Sequence, residues 1–196
     1  MKSRIIAVAL LLLFFSDVLM ADTAYQPFVL ASVNDCALEE QVKATVDALE
    51  AGGFTIAGQY SPVDGSVVIV ATNETLKKAA AATDRGGYAA GQRISVTERD
   101  GKTEVAFINP LYIQYAYRLD ADLLSVLDSL GNALGNQESY GAEKEMTAKK
   151  LGKYNYMMGM QKFDDPSELG SFNSFADAVA AVEAGLAREG DALSQV

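Results

Sequence analysis

Apolar and polar residues alternate with a period of two at Ile94 and Val96 and again at Val105 and Phe107. Between them, Asp100-Gly101 supplies the positive-φ positions of a tight primed turn. This pattern predicts an antiparallel hairpin with one buried face across residues 92–110. Its charged side chains, Arg93, Glu98, Arg99, Lys102 and Glu104, are assigned to the solvated face and the turn. Asn109-Pro110 then ends the second strand and starts a helix, with Asn109 as N-cap and proline at the first helical position, where no N–H is required.

The same periodicities organise the rest of the chain. A strand is expected from Phe28 to Val33, then a helix from Ala37 to Ala51 with Leu38, Val42, Thr45, Val46 and Leu49 on one face and Gly52-Gly53 at its end. Strands Phe54 to Tyr60 and Ser66 to Ala71 flank a turn at Pro62-Val63-Asp64-Gly65, and Thr72 or Asn73 caps an alanine-rich helix reaching about Thr83. One or two helices cover Leu111 to Leu134, with Leu123, Leu127, Leu130 and Leu134 as their apolar stripe. Tyr112, Tyr115 and Tyr117 are spaced so that they could line a pocket, but their amphipathic setting assigns them to the core.

Residues 135–153 are polar and glycine-containing and read as a linker. Beyond it, Tyr154 to Phe163 reads as extended, and Ser174 to Arg188 as a helix with Ser174 and Asp177 as a capping pair. The apolar positions Phe175, Val179, Val182 and Leu186 repeat the spacing of Leu38, Val42, Thr45 and Leu49, and Gly190 falls where Gly53 did. The expected organisation is a complete α+β domain over 22–134, the linker over 135–153, and a partial second copy over 154–196.

Residues 1–21 carry Lys2 and Arg4, then the apolar run Ile5 to Phe15, then a small residue at the expected cut. These are the parts of a secretory signal peptide, and the run is too short to span a bilayer. A periplasmic or secreted protein follows as the expectation, with no membrane attachment after cleavage. Loss of Lys2, Arg4 and Asp17 takes the 16 basic and 26 acidic side chains to 14 and 25, a formal charge of −11. Such a surface disfavours phosphate backbones, so no nucleic-acid partner is expected. Histidine is absent, which removes Ser-His-Asp and Cys-His nucleophiles, HExxH zinc sites and histidine-ligated haem. With Cys36 as the sole cysteine, no internal disulfide can form.

The run Leu49-Glu50-Ala51-Gly52-Gly53-Phe54, the strand Val67-Val68-Ile69-Val70-Ala71 before Asn73, and Arg93-Ile94-Ser95-Val96 through Asp100-Gly101 to Asn109-Pro110-Leu111-Tyr112 resemble the bacterial domain of unknown function 302 family. The resemblance covers roughly Leu38 to Leu119 and rests on order and spacing. It implies an antiparallel sheet carrying helices on one face in β-α-β-β-β-β-α order, similar to the TATA-box-binding-protein fold, with the helix at Asn73 as an addition. It implies no reaction, and a shared fold does not bring DNA binding with it.

Two clusters carry candidate chemistry. Cys36 precedes the first turn of a helix, where free N–H groups favour a thiolate, while Asp35, Glu39 and Glu40 oppose it; a small buried residue is the alternative. Met157, Met158 and Met160 are soft ligands suited to Cu(I), but in an extended segment only two converge, and core packing is the alternative. Asp120 with Asp122, and Asp164-Asp165, fit neither an acid–base pair nor a calcium loop, and Asp164-Asp165 reads as a turn and helix entry. The expected function is non-catalytic binding of a small molecule or a protein. The alternatives are a redox, sulfur or copper-handling accessory, and a structural module that forms a homodimer through the partial repeat.

Overall fold

The computed structural model describes residues 23–188 except Arg85, Tyr156 and Asp164, so the expected leader and Gly190 lie outside the described residues. The elements run Ala24–Tyr25 (β1), Phe28–Asn34 (β2), Leu38–Ala51 (α1), Thr55–Tyr60 (β3), Ser66–Thr72 (β4) and Glu74–Ala82 (α2). After a 3-10 turn at Gly86–Ala89 come Gln92–Arg99 (β5), Lys102–Ile108 (β6), Pro110–Ala116 (α3), Leu124–Leu134 (α4), Glu138–Tyr140 (β7), Met146–Thr147 (β8), Ala148–Leu151 (α5) and Phe175–Leu186 (α6).

Six strands form one antiparallel sheet in the order β3-β4-β5-β6-β2-β7. The hairpin pairs Ile94 with Phe107 and Val96 with Val105. Asp100 and Gly101 hold φ of 50° and 77° at its turn. On one face Val29, Ile69, Ala71, Ile94, Val96, Val105 and Phe107 are buried with Leu49 of α1 and Val126 and Leu130 of α4. That face is the core, and α1 crosses β3 to β6 while α4 packs on α1 and β2. The fold is therefore α+β, with an antiparallel sheet and its principal helices on one side.

Local chemistry sets the helix ends. Asn73 Oδ1 accepts from Leu76 N at 2.9 Å, and Asn109 Oδ1 accepts from Leu111 N at 3.0 Å. Asn109 is buried, and its Nδ2 also donates to Gln26 O at 3.0 Å, which ties the start of α3 to the chain before β2. Helices α3 and α4 are separate because the chain turns at Arg118, where φ is 52°.

The segment expected to be a linker is built into the domain. Glu138–Tyr140 pairs with β2 as an edge strand, Met146–Thr147 pairs with β1, and Leu151 is buried. Long-range contacts, which a polar composition does not display, put them there. The Gln26 side chain grips Ala142 by donating to its O at 3.2 Å and accepting from its N at 2.8 Å.

The stretch expected to be extended after Tyr154 instead turns. Met160 N donates to Met157 O at 3.1 Å, and Tyr154 and Phe163 stack with centroids 5.5 Å apart. A series Tyr88–Tyr117–Phe163–Tyr154 of ring contacts fastens this turn to the domain. Helix α6 starts as expected, with Ser174 Oγ accepting from Asp177 N at 3.1 Å, yet none of its described residues is buried.

Strand β1 is held through Tyr25, whose ring lies 4.9 Å from that of Tyr115 and whose hydroxyl donates to the Tyr115 hydroxyl at 3.5 Å. The Tyr115 hydrogen bond, together with burial, raises the Tyr25 phenol from 10.0 to about 12. The unfolded chain thus loses this proton at a lower pH than the folded one. The stabilisation is complete below pH 10 and is lost as pH rises towards about 12. Tyr25→Phe is expected to flatten the decline in melting temperature across that window, as measured by thermal unfolding at stepped pH.

Candidate functional site

The sheet's second face is not the solvated surface that a half-buried antiparallel sheet normally presents. Register places Tyr60, Val68, Ser95, Ala106 and Leu30 in one row across five strands. In the next row Val70 pairs with Arg93, and Ile108 pairs with Phe28, which pairs with Tyr140. Apolar side chains dominate both rows. Val68, Ser95, Ala106 and Ile108 form the floor of a trough of about 470 Å³, walled by Phe28, Tyr60, Tyr112 and Tyr140.

Each wall has a structural cause. Tyr140 is placed by the β7–β2 pairing, and its ring lies 5.7 Å from that of Phe28. Tyr112 is carried in on the first turn of α3, whose start is fixed by Asn109 and Pro110. Tyr60 ends the edge strand β3, opposite Val68. Burial, then the Tyr154 phenol, raises the Tyr112 pKa; burial, then the Glu104 carboxylate, raises that of Tyr140 while Arg99 opposes this. Both phenols therefore stay protonated at neutral pH and keep an O–H available to donate.

Polar groups in the trough are few. Ser95 Oγ donates to Ala106 O at 3.4 Å. Arg93 is exposed and makes no hydrogen bond or ion pair among the described residues, unlike Arg99, which meets Glu104 at 3.5 Å, and Lys102, which meets Asp35 at 3.4 Å. An apolar, aromatic-walled concavity of this size with a single uncommitted charge suits a small molecule.

One of the three tyrosines departs from the expectation drawn from sequence. Tyr117 packs on the core and Tyr115 on Tyr25, but Tyr112 lines the trough. Arg93, assigned to the solvated face, is exposed there and also borders the trough. The signal for it lay in Val67-Val68-Ile69-Val70-Ala71 and Val105-Ala106-Phe107-Ile108, continuous apolar runs that alternate no longer and so mark strands with two apolar faces.

The other candidates lie elsewhere. Cys36 is half-buried just before α1; its Sγ donates to Gln41 Oε1 at 3.2 Å and its carbonyl accepts from Thr103 Oγ1 at 2.7 Å. Met157, Met158 and Met160 are exposed rather than packed in a core, with Met158 fully so. Met157 and Met158 border a surface depression with Lys149, Lys150 and Lys153, whose charges oppose a bound cation. Asp122 accepts from Leu124 N at 2.9 Å and Asp165 from Lys162 N at 2.7 Å, which are capping and turn roles. Among the described residues no helix is long and apolar enough to cross a membrane.

The crystal structure of an uncharacterized conserved protein DUF302 from Bacillus stearothermophilus is similar to this chain, with a TM-score of 0.48 and 14% identity over 57% of this chain and 97% of that one. No protein-family model matches the chain, and no curated protein matches it. The likeness to the solved structure is one of fold and is too low to bear on ligand or chemistry.

Proposed function

We propose that this chain is an exported binding domain that takes a small, largely apolar molecule in the trough on the open face of its sheet. The observation that carries the reading is the aromatic-walled concavity of about 470 Å³ over Val68, Ser95 and Ala106. Its volume lies within the range of small-molecule sites, roughly 300–1,000 Å³. Export is supported by the charged and then apolar leader.

A neutral aromatic probe tests this reading directly. Addition of 2-naphthamide is expected to shift the amide resonances of Val68, Ser95, Ala106 and Tyr112, and Ser95→Trp, which fills the trough from an outward-facing position, is expected to abolish those shifts. Saturating probe that leaves these amides unmoved, or moves only those of α6, overturns it.

A second reading is favoured by α6, where Phe175 is 86% and Val182 58% exposed along one apolar stripe. In this reading the C-terminal segment joins two copies of the chain, and a concentration-independent monomer mass would exclude it. The copper- and thiol-based alternatives rest on Met157, Met158, Met160 and Cys36 alone. A Cu(I) titration no tighter than that of a Met-to-Leu variant, and no labelling of folded Cys36 by a thiol reagent, would remove them.

A further inference from the structure

We infer that the ligand of the trough carries an anionic group, a carboxylate or its equivalent, and that Arg93 recognises it. This rests on the reading of the trough as a binding site and adds the class of molecule that enters it.

On its face of the sheet Arg93 has apolar neighbours. Its partner across β4 is Val70, and the next positions in its own row are Ile108 and Phe28. None of these side chains carries a hydrogen-bond acceptor or a negative charge for a guanidinium. The acids that share the face are displaced: Glu104 stands opposite Thr97, four residues or about 13 Å along the strand, and Glu138 is on β7, three strands or about 14 Å away. Glu104 is in any case engaged by Arg99. The guanidinium therefore borders an apolar trough with all its donors uncommitted among the described residues.

Guanidinium is a planar fork that holds a carboxylate through two parallel hydrogen bonds, and it cannot lose its charge at any ordinary pH. Aromatic and aliphatic walls lower the local dielectric and strengthen such a pair relative to one in water. The whole chain carries a formal charge of −10, so its long-range field repels anions. Selection for the anion is then made at short range by Arg93, and it appears in how long the ligand stays rather than in how fast it arrives. A neutral, wholly apolar ligand would use the walls equally well but would make no use of the guanidinium.

The test compares two probes of one shape, 2-naphthoate and 2-naphthamide, by titration followed through amide shifts. Wild-type protein is expected to bind the carboxylate roughly tenfold more tightly than the amide, as one charge-assisted pair allows. Arg93→Gln, at an exposed site, is expected to bring the two affinities together by weakening the carboxylate and leaving the amide unchanged, while Arg93→Lys retains part of the difference. Added salt should weaken only the carboxylate. Equal affinities in wild type, or a preference that survives Arg93→Gln, overturns the anion assignment and leaves the trough as an apolar site. Failure of both probes to move the trough amides overturns the trough reading and this inference with it.

Discussion

Phe107→Ala is expected to lower the free energy of unfolding by about 3–5 kcal/mol, the cost of truncating a fully buried aromatic ring where the surroundings cannot collapse into the space. Phe107 is 1% exposed and sits on β6 between Val29 of β2 and Ile94 of β5, so its neighbours are held by strand pairing on both sides. A domain of this size has only about 5–15 kcal/mol to lose. The next residue, Ile108, faces the other way, into the trough. Ile108→Ala should therefore cost much less stability, on the order of 1 kcal/mol, while weakening the binding of 2-naphthamide. Urea unfolding of the two variants separates the faces. Equal destabilisation would mean that the open face is itself a second core, and the trough would lose its claim to be a site.

Gly135→Ala should cost about 3 kcal/mol or more, although the residue it replaces has no side chain and lies outside every helix and strand. Gly135 has φ of 105° and ψ of 170°, a region essentially closed to other residues and costing about 1–3 kcal/mol when they are forced into it. A Cβ there would also lie 2.4 Å from the carbonyl oxygen of Ala31, a backbone atom in the β2 bulge that cannot move aside without disturbing the sheet. The position lets the chain leave α4, pass close over β2 and continue into β7. The effect should thus be local as well as global. Hydrogen exchange at Glu138, Ser139 and Tyr140 should accelerate more than that at Ile94 or Phe107, because β7 is an edge strand of three residues. A loss below 1 kcal/mol with β7 protection intact would contradict this account of the turn.

The hairpin, α1, the Asn73 and Asn109 caps and the division into a sheet with helices on one side are legible in the sequence because each depends on neighbours in the chain. Alternation, turn residues and capping side chains act over a few positions. Strand β7 is not legible: Glu138-Ser139-Tyr140 shows no alternation, and its place depends on Gly135, on Leu30, whose carbonyl accepts from Gln137 N at 2.9 Å, and on Gln26, 116 residues from the Ala142 it grips. The methionine turn is likewise hidden, since an extended reading cannot anticipate Tyr154 stacking back on Phe163.

The site was half legible for a related reason. Val68, Val70, Ala106 and Ile108 stand where alternation calls for polar residues, which shows that the outer face has something to cover. Arg93 conveys nothing of the kind by itself, because a charged residue at an outward position is the ordinary pattern. Only the register, which sets it beside Val70 and in the row of Ile108 and Phe28, shows that its guanidinium borders an apolar trough.

A crystal structure of the protein soaked with 2-naphthoate tests the central claim most directly. The naphthalene ring is expected over Val68, Ser95 and Ala106, between Tyr60 and the Phe28–Tyr140 pair, with the carboxylate on the Arg93 guanidinium. An empty trough beside an occupied site elsewhere, or a trough filled by α6 of a second copy, would contradict it.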